Sequence, residues 1–342
     1  MSNEALLTQS YDFTLPNELI AKYPASPRDH AKLFVYDRAT DTITHTHFYN
    51  LEKFIPQESA LIFNDTKVIK ARLFGEKKSG GKVELLINRA LNAQEISVYI
   101  RGKVKAGTEL FFDDNLMAKV TKLNDDGSRE VNFYQDKMLL RFEELLPIID
   151  KIGHIPLPPY IQRADEDADA NEYQSVFAKQ EGAVAAPTAS LHFTPEQHKR
   201  ICNNHQHAYV TLHIGSGTFK PVEAEVITDH PMHSEYYAIS NEAKEILESS
   251  IPILSVGTTS TRTIEYYARH QGKIRGEANL FLHPQNRPLR VNHLLTNFHL
   301  PKSTLLMLVA SFVGLEKTHQ LYAEAIREKY RFYSYGDAML IL

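Results

Sequence analysis

Seven of the sixteen histidines are concentrated in residues 192–233. Histidine titrates close to neutral pH, so such a group offers proton donors, proton acceptors or metal ligands. His192 and His213 stand in two stretches rich in small residues, 182–194 (GAVAAPTASLHFT) and 209–222 (YVTLHIGSGTFKPV). The first stretch has neither helical nor strand periodicity. Because small side chains let a backbone come close to a ligand, we predict that the two stretches face each other across a ligand site.

His230, His233 and Glu235 are spaced so that their side chains could ligate a metal ion. However, an HExxH motif is absent, Cys202 is the single cysteine, and spacing marks no further ligand. We therefore predict no metal site, and we interpret these residues as polar side chains that form hydrogen bonds. A metal-dependent hydrolase built on this loop remains an alternative function.

Glycine-containing turns follow two predicted strands. Gly215-Ser216-Gly217-Thr218 follows the strand that ends near Ile214, but it lacks the endings of phosphate-binding and dinucleotide-binding loops, and a tight turn explains it equally well. Gly257-Thr258-Thr259-Ser260 lies between an apolar strand and a helix that carries Arg262. A strand, a glycine turn and a hydroxyl-rich helix start form a geometry that binds phosphate or carboxylate.

Polar residues also follow the apolar run Ala60–Asn64, beginning with Asp65. Side chains in this position often face a ligand, because α/β sheets bind ligands at the carboxyl ends of their strands. Asn64 and Asp65 are equally good turn formers. Both interpretations remain open.

Six short alternating runs between residues 68 and 134 predict a small antiparallel barrel, since glycine and aspartate turns separate them every 8–12 residues. The runs are Val68–Phe74, Lys82–Arg89, Glu95–Arg101, Thr108–Phe112, Leu116–Leu123 and Glu130–Tyr134. Strand–helix patterning surrounds this block. We therefore predict an α/β main domain formed by residues 1–66 and 150–342, with an inserted six-stranded antiparallel β-barrel domain at residues 67–149. The acidic segment 165–172, beyond a proline-rich crossover, allows a mobile lid.

The composition is that of a globular protein, with 43% hydrophobic and 23% charged residues. One cysteine, no secretory signal at the start and no apolar run longer than Leu305–Val313 predict a cytoplasmic protein. The net charge is −4, yet residues 67–105 carry ten basic and three acidic side chains, a local excess of +7. This basic segment is either a docking site for a polyanion or a solvated surface.

Long motifs along almost the whole chain resemble one protein family. They are NDTKVIKARLFG (64–75), PLPPYI (156–161), YQSVFA (173–178), GAVAAPTASLHFT (182–194), TLHIGSGTFKPV (211–222), HPMHSE (230–235), VGTTSTRTIE (256–265), TNFHLPKSTLLMLV (296–309) and YRFYSYGDAML (330–340). The chain resembles the S-adenosylmethionine:tRNA ribosyltransferase-isomerases of queuosine biosynthesis.

The resemblance implies a transfer and isomerisation of the ribosyl group of S-adenosylmethionine. The acceptor is an aminomethyl-deazaguanine base at the tRNA wobble position, and the products are epoxyqueuosine-tRNA, adenine and methionine. S-adenosylmethionine is then a co-substrate and ribosyl donor, with no permanently bound cofactor. The family's fold is an α/β domain interrupted by a β-barrel. Membrane association is not expected, and we expect a monomer.

This chemistry needs a base beside the sulfonium and an acid that helps adenine leave. The candidate catalytic residues are His192, His213, Glu235, His299 and Asp65, with the two roles unassigned among them. The candidates for binding S-adenosylmethionine are Gly215, Gly217, Thr258, Thr259 and Arg262. The last three could instead be helix caps or structural ion-pair partners.

The candidates for binding tRNA combine the basic segment with two aromatic residues near the end of the chain. They are Lys67, Lys70, Arg72, Lys77, Lys78, Lys82, Arg101, Lys103, Lys105, Tyr333 and Tyr335. The tyrosines could stack on an unpaired anticodon base or could be core aromatics. A non-catalytic RNA-binding module is the alternative function that the basic segment leaves open.

Overall fold

The computed structural model describes residues 3–215, 217, 222–270 and 272–342. The strands are β1 (Lys32–Asp37), β2 (Thr42–His47), β3 (Ala60–Asn64), β4 (Thr66–Val68), β5 (Arg72–Lys77), β6 (Lys82–Ala90), β7 (Glu95–Arg101), β8 (Glu109–Phe111), β9 (Leu116–Leu123), β10 (Arg129–Gln135), β11 (Met138–Leu139), β12 (Gln180–Ala183), β13 (His207–Leu212), β14 (Glu235–Ile239), β15 (Ile253–Val256), β16 (Arg275–Ala278), β17 (His293–Asn297) and β18 (Ala338–Ile341). The α-helices are α1 (Phe142–Ile152), α2 (Asp169–Glu172), α3 (Pro195–Asn204), α4 (Asn241–Glu248), α5 (Thr258–Arg269), α6 (Thr304–Val313) and α7 (Leu315–Arg327). No helix within these described ranges is long and apolar enough to cross a membrane.

The chain divides into two compact units. One contains the residues up to Thr66 together with 174–180 and 186–342, and the other contains 67–173 and 181–185. The first is built on a nine-stranded mixed sheet and the second on a closed barrel. The predicted fold class, an α/β main domain with a six-stranded antiparallel β-barrel inserted in its chain, is confirmed.

The nine-stranded sheet has the order β16-β14-β13-β3-β15-β17-β18-β1-β2. Its four central strands, β13, β3, β15 and β17, are parallel to their neighbours within that group. Every residue of β3, with the sequence ALIFN, is buried, as expected for a strand covered on both faces. Because the four strands run in one direction, their carboxyl ends lie along one edge of the sheet, which we call the carboxyl edge.

The barrel closes in the order β5-β6-β7-β10-β9-β8, with β8 paired back to β5. Alternation along β6 buries Val83, Leu85 and Ile87 in its interior. The predicted first strand began at Val68, whereas β5 begins at Arg72. The reason is that β4, which contains Val68, pairs with β12 in a separate two-stranded sheet.

The second unit extends beyond the predicted boundary at residue 149. Helix α1 spans that position, and its apolar side chains Leu145, Ile148 and Ile149 belong to the barrel's hydrophobic core. Further on, Arg163 donates two hydrogen bonds, of 2.6 and 2.8 Å, to the buried carboxylate of Asp169. This bidentate pair holds a defined turn in the acidic segment for which the sequence allowed a mobile lid.

Candidate active site

Asn64, the last residue of β3, organises the carboxyl edge with a fully buried amide group. Its Oδ1 accepts the backbone N–H of Leu212 at 3.0 Å, and its Nδ2 donates to the carbonyl of Leu212 and to Oγ1 of Thr259, both at 3.1 Å. One side chain therefore joins the end of β13 to the first turn of α5. This arrangement fixes the positions of residues that follow three different strands.

His213 follows β13 directly and is half-buried. Its Nδ1 lies 2.8 Å from Oγ1 of Thr66, and its ring stacks on Tyr236 with centroids 5.7 Å apart. Burial lowers the pKa of His213 to about 4, so the ring is neutral at physiological pH. A neutral imidazole held at one nitrogen can accept a proton at the other.

Asp65 is buried beside the same strands. Its Oδ1 accepts a hydrogen bond of 2.7 Å from Oγ1 of Thr211. Burial raises the pKa of the Asp65 carboxyl, and this outweighs the opposing effects of the Thr211 hydrogen bond and the charge of Lys179. The geometry fits either a turn-stabilising residue or a proton donor.

Glu235 and Arg262 form a buried ion pair at the carboxyl edge. Nη1 of Arg262 donates to Oε2 of Glu235 at 2.5 Å, and the backbone N–H of Gly215 donates to Oε1 at 3.1 Å. Both carboxylate oxygens are therefore engaged, which favours a positioning role for Glu235 over proton transfer. Nη2 of Arg262 is buried and has no hydrogen-bond partner among the described residues. Such an unpaired charged donor is costly unless a ligand completes it.

Helix α5 begins one turn before Arg262. Its N-cap residue, Gly257, has a φ of 92° and supplies no side-chain cap. That backbone conformation favours glycine. The N–H groups of Thr258 and Thr259 at the open helix start can attract an anion. A Cβ at position 257 would lie 3.8 Å from Cβ of Ala189, so the small-residue stretch that leads to His192 passes beside this helix start.

His192 is 4% exposed, and its ring packs 5.0 Å from that of Phe48. Its Nε2 lies 3.3 Å from Nδ2 of Asn297, the last residue of β17. Burial, followed by the positive charges of Arg331 and Arg28, lowers the pKa of His192 to about 3. The ring is therefore neutral, and it lies at the carboxyl edge because β17 carries its partner there.

His299 follows β17 by two residues. Its Nε2 lies 2.9 Å from Oγ1 of Thr296, and its backbone N–H donates to the hydroxyl of Tyr322 at 3.1 Å. Burial lowers the pKa of His299 to about 3. The carboxyl edge thus carries His213 after β13 and His299 after β17. Three strand spacings of about 4.8 Å place these strand ends roughly 14 Å apart.

Gly217 lies against the loop that carries His233. A Cβ at position 217 would lie 2.4 Å from Cδ2 of His233, so a larger residue would displace the imidazole. Ser216 and Thr218 of the same turn lie outside the described residues. Across the described ranges, no three His, Cys, Asp or Glu side chains converge in a way that could hold a metal ion. The described part of the chain therefore gives the alternative of a metal-dependent hydrolase no ligand set.

Six of the predicted tRNA-binding residues lie at one end of the barrel, around the β5–β6 turn and the β7–β8 loop. This basic rim consists of Lys77, Lys78, Lys82, Arg101, Lys103 and Lys105. Nζ of Lys77 donates to the carbonyl of Lys103 at 2.6 Å, which joins the two loops. The rim's side chains are exposed except that of Lys77, which is half-buried.

The other predicted tRNA contacts are less accessible. Lys67 pairs with Glu181 at 2.8 Å, and Lys70 donates to the carbonyl of Asp150. Arg72 pairs with Glu84 at 3.3 Å and has a side chain only 20% exposed. Because of these contacts, the positive charges of Lys67, Lys70 and Arg72 are less available to phosphates than the sequence alone indicates.

The side chain of Tyr335 is 2% exposed and belongs to the core, which favours the core-aromatic interpretation over stacking on a base. Tyr333 is half-buried, and burial raises its pKa to about 12. It can present only part of its ring to a ligand.

A family model described as queuosine biosynthesis protein matches residues 8–341, nearly the whole of this chain. The chain belongs to that family. The predicted resemblance is thus confirmed by a match that includes every strand of both units.

Named relatives of this queuosine biosynthesis protein agree with that assignment. An S-adenosylmethionine:tRNA ribosyltransferase-isomerase of Sulfurimonas denitrificans is 72% identical over 342 residues, which cover 100% of both chains. One from Campylobacter jejuni strain 81-176 is 56% identical over 343 residues, 99% of this chain and 100% of the relative. The crystal structure of S-adenosylmethionine tRNA ribosyltransferase from Thermotoga maritima is similar, with a TM-score of 0.54, 32% identity and coverage of 97% of this chain and 100% of that one.

Two residues that position the site escaped prediction. Asn297 lies in the motif TNFHLPKSTLLMLV and Thr66 in the motif NDTKVIKARLFG, but neither is among the candidate site residues. Asn297 is the last residue of the buried strand β17, and Thr66 lies two residues beyond the end of β3. Both therefore follow the pattern of polar residues at strand ends that marks Asn64 and Asp65. A polar residue at the end of a buried strand is therefore the sequence signal that identifies both.

Proposed function

We propose that this protein catalyses the S-adenosylmethionine:tRNA ribosyltransferase-isomerase reaction that the names of its relatives describe. The observation that carries the proposal is the buried Arg262, one turn into α5, whose Nη2 has no hydrogen-bond partner among the residues that the structure describes. An anionic group of a ligand would satisfy it. S-adenosylmethionine has such a group in its methionine carboxylate.

We place the methionine part of the donor between Arg262 and the first turn of α5. A carboxylate there accepts hydrogen bonds from Nη2 of Arg262 and from the backbone N–H groups of Thr258 and Thr259. Glu235 keeps the guanidinium in this orientation through Nη1, while Gly215 holds Glu235 in turn.

We assign the role of base to His213. Among the three histidines at the carboxyl edge it is the least buried, it is neutral at physiological pH, and Thr66 holds its Nδ1. The sulfonium acidifies the neighbouring ribosyl carbon, so a neutral imidazole can take that proton. The free ring nitrogen, Nε2, is the accepting atom.

We assign a hydrogen-bond donor role to His192 and proton donation to adenine to Asp65, because burial lowers the pKa of His299 to about 3 and leaves its ring neutral. Nε2 of His192 faces an amide N–H donor, so its single proton belongs on Nδ1. A neutral imidazole N–H can stabilise charge on a departing base without giving up its proton. Asp65 suits an acid because burial raises the pKa of its carboxyl.

We propose that the basic rim binds the phosphates of the tRNA and that Tyr333 lies near the anticodon. Five of the rim's six cations are exposed, and counterion release would make their contribution strongly dependent on salt. We also propose a cytoplasmic monomer that holds no permanent cofactor, consistent with the single cysteine.

The test is incubation of the purified protein with S-adenosylmethionine and tRNA that carries the aminomethyl-deazaguanine base. We expect one adenine and one methionine for each epoxyqueuosine formed. The same tRNA with guanine at the wobble position is the matched control, and it should yield no adenine. Tight tRNA binding without adenine release would favour the RNA-binding module. Activity that a chelator abolishes and a metal restores would favour the hydrolase.

A further inference from the structure

An aromatic surface lies at the carboxyl edge of the nine-stranded sheet, outside the candidate site residues described above. β1 is antiparallel to β17 through β18, and β2 is antiparallel to β1. The start of β1 and the end of β2 therefore lie at the same edge as the carboxyl ends of the central strands. The segment that follows β2 includes Phe48, which packs on His192.

Three exposed rings cluster on the outer side of this segment. The rings of His47 and Tyr49 stack with centroids 5.3 Å apart and an interplanar angle of 3°. The ring of His30 lies 5.3 Å from that of Tyr49. Tyr49 is 42% exposed. We call His30, His47 and Tyr49 the aromatic platform.

The platform is held by backbone and side-chain bonds rather than by burial. The N–H of Phe48 donates to the carbonyl of Ala31 at 2.9 Å, and Nδ2 of Asn50 donates to Oγ1 of Thr46 at 3.1 Å. Phe48 is fully buried between the two exposed rings that flank it in sequence. Alternation along 47–49 thus directs one ring towards the site and two towards solvent. An exposed stack held in this way is prepared to receive a flat partner at little entropic cost.

The segment that carries Tyr49 also supplies an exposed cation. Lys53, four residues beyond Tyr49, is exposed. The nearby carboxylate of Glu52 is occupied by Arg200 and Asn204, each at 2.6 Å. The acidic group is therefore neutralised, whereas the lysine remains available to a phosphate.

We propose that the aromatic platform stacks an unpaired base of the tRNA anticodon loop beside the base that enters the active site. The inference rests on the proposed function. Single-stranded RNA is recognised by aromatic side chains that stack on splayed bases, with nearby cations on the phosphates. The segment 47–49 contacts His192 on its inner side, so a neighbouring nucleotide would lie on its outer side.

The experiment uses an anticodon stem-loop RNA with 2-aminopurine in the loop, whose fluorescence falls when the base stacks. Tyr49→Ala should weaken binding by about 10-fold and remove the quenching, whereas Tyr49→Phe should stay within about twofold of the parent. Ile43→Ala is the matched control, because Ile43 is also exposed on β2 but lies at the opposite end of the strand.

Turnover separates this inference from the proposed function. In the adenine-release assay, Tyr49→Ala should raise KM for tRNA and leave KM for S-adenosylmethionine unchanged. If the parent protein releases adenine and Tyr49→Ala matches Ile43→Ala in RNA binding and in KM, the platform is overturned. If the parent binds the RNA and quenches the 2-aminopurine fluorescence through Tyr49 but releases no adenine, the role of the platform is supported and the proposed function fails. Equal melting temperatures of the three variants verify that a folding defect does not cause the change in RNA binding or in KM.

Discussion

Nδ2 of Asn297 lies 3.3 Å from Nε2 of His192 and also donates to the carbonyl of Tyr333 at 3.1 Å. A carbonyl accepts hydrogen bonds only, so the amide group must point its NH₂ towards both partners. Nε2 of His192 is consequently an acceptor, and the proton of the neutral ring belongs on Nδ1. One asparagine thus selects the tautomer of a buried histidine at the candidate site.

Asn297→Asp should reverse this selection. A carboxylate cannot donate to the carbonyl of Tyr333, and it favours a proton on Nε2 of His192. We expect kcat for adenine release to fall by about 10- to 100-fold, equivalent to about 1–3 kcal/mol for an unsatisfied buried group. Nitrogen NMR of the imidazole should show the Nδ1–H tautomer in the parent and its loss in the variant. An unchanged tautomer with an unchanged kcat would refute the positioning role.

Acid should destabilise the fold through His192 and His299. Their folded-state pKa values of about 3 lie below the ordinary value of 6.5, so the unfolded state binds more protons between those limits. The stabilisation is complete above pH 6.5 and is lost as the pH falls towards 3. Each histidine contributes a slope of about 1.4 kcal/mol per pH unit in this window. Urea unfolding at pH 7 and pH 5 should show a smaller loss for His299→Gln than for the parent; equal losses would contradict the assignment.

The ion pair of Glu235 and Arg262 should show strong coupling. Removing one partner leaves a buried charge unpaired, so Glu235→Gln and Arg262→Met should each lower the free energy of unfolding by about 3–5 kcal/mol. The double variant should lose much less than the sum, yet it should still bind S-adenosylmethionine poorly in calorimetry, because Nη2 of Arg262 is gone. As a control, Lys122→Met breaks an exposed pair with Glu130 and should cost under about 1 kcal/mol. Additive losses would show that the pair is not coupled.

The basic rim should determine the salt dependence of RNA binding. Replacing Lys78, Lys82 and Lys103 by alanine should reduce the slope of log Kd against log salt by about 2–3, since each phosphate contact contributes about 0.7–0.9. The control set is three other exposed barrel lysines, replaced together. They are Lys119, Lys122 and Lys137. Equal slopes for the two triple variants would place the RNA elsewhere.

Local patterns predicted the barrel because strand alternation and turns are encoded within a few residues. The second unit continues past the predicted boundary at residue 149 to Tyr173. That extension depends on contacts between residues far apart in sequence, such as the hydrogen bond of 2.9 Å from the backbone N–H of His154 to the carbonyl of Arg72. The burial of Tyr335 is likewise a tertiary property that its aromatic neighbours in sequence did not reveal.

The sequence supplied the residue types of the candidate site but not its geometry. His213 and Glu235 were predicted as catalytic candidates and Arg262 as a candidate for binding S-adenosylmethionine, and the structure places all three at one sheet edge. The pairing of Glu235 with Arg262 depends on the register of β13 with β14, which no single sequence segment contains. The roles of Asn64 and Asn297 depend in the same way on which strands lie side by side.

The central claim is that a donor bound at Arg262 transfers its ribosyl group to tRNA. The most direct measurement is the amount of adenine released per tRNA modified, with the parent protein and with Arg262→Lys, which keeps the charge and lacks Nη2. We predict one adenine per modified tRNA for the parent, and for Arg262→Lys a KM for S-adenosylmethionine raised by about 10- to 100-fold, the loss of about 1.5–3 kcal/mol expected for a hydrogen bond to a charged group. No adenine release by the parent, or an unchanged KM in the variant, would contradict the account.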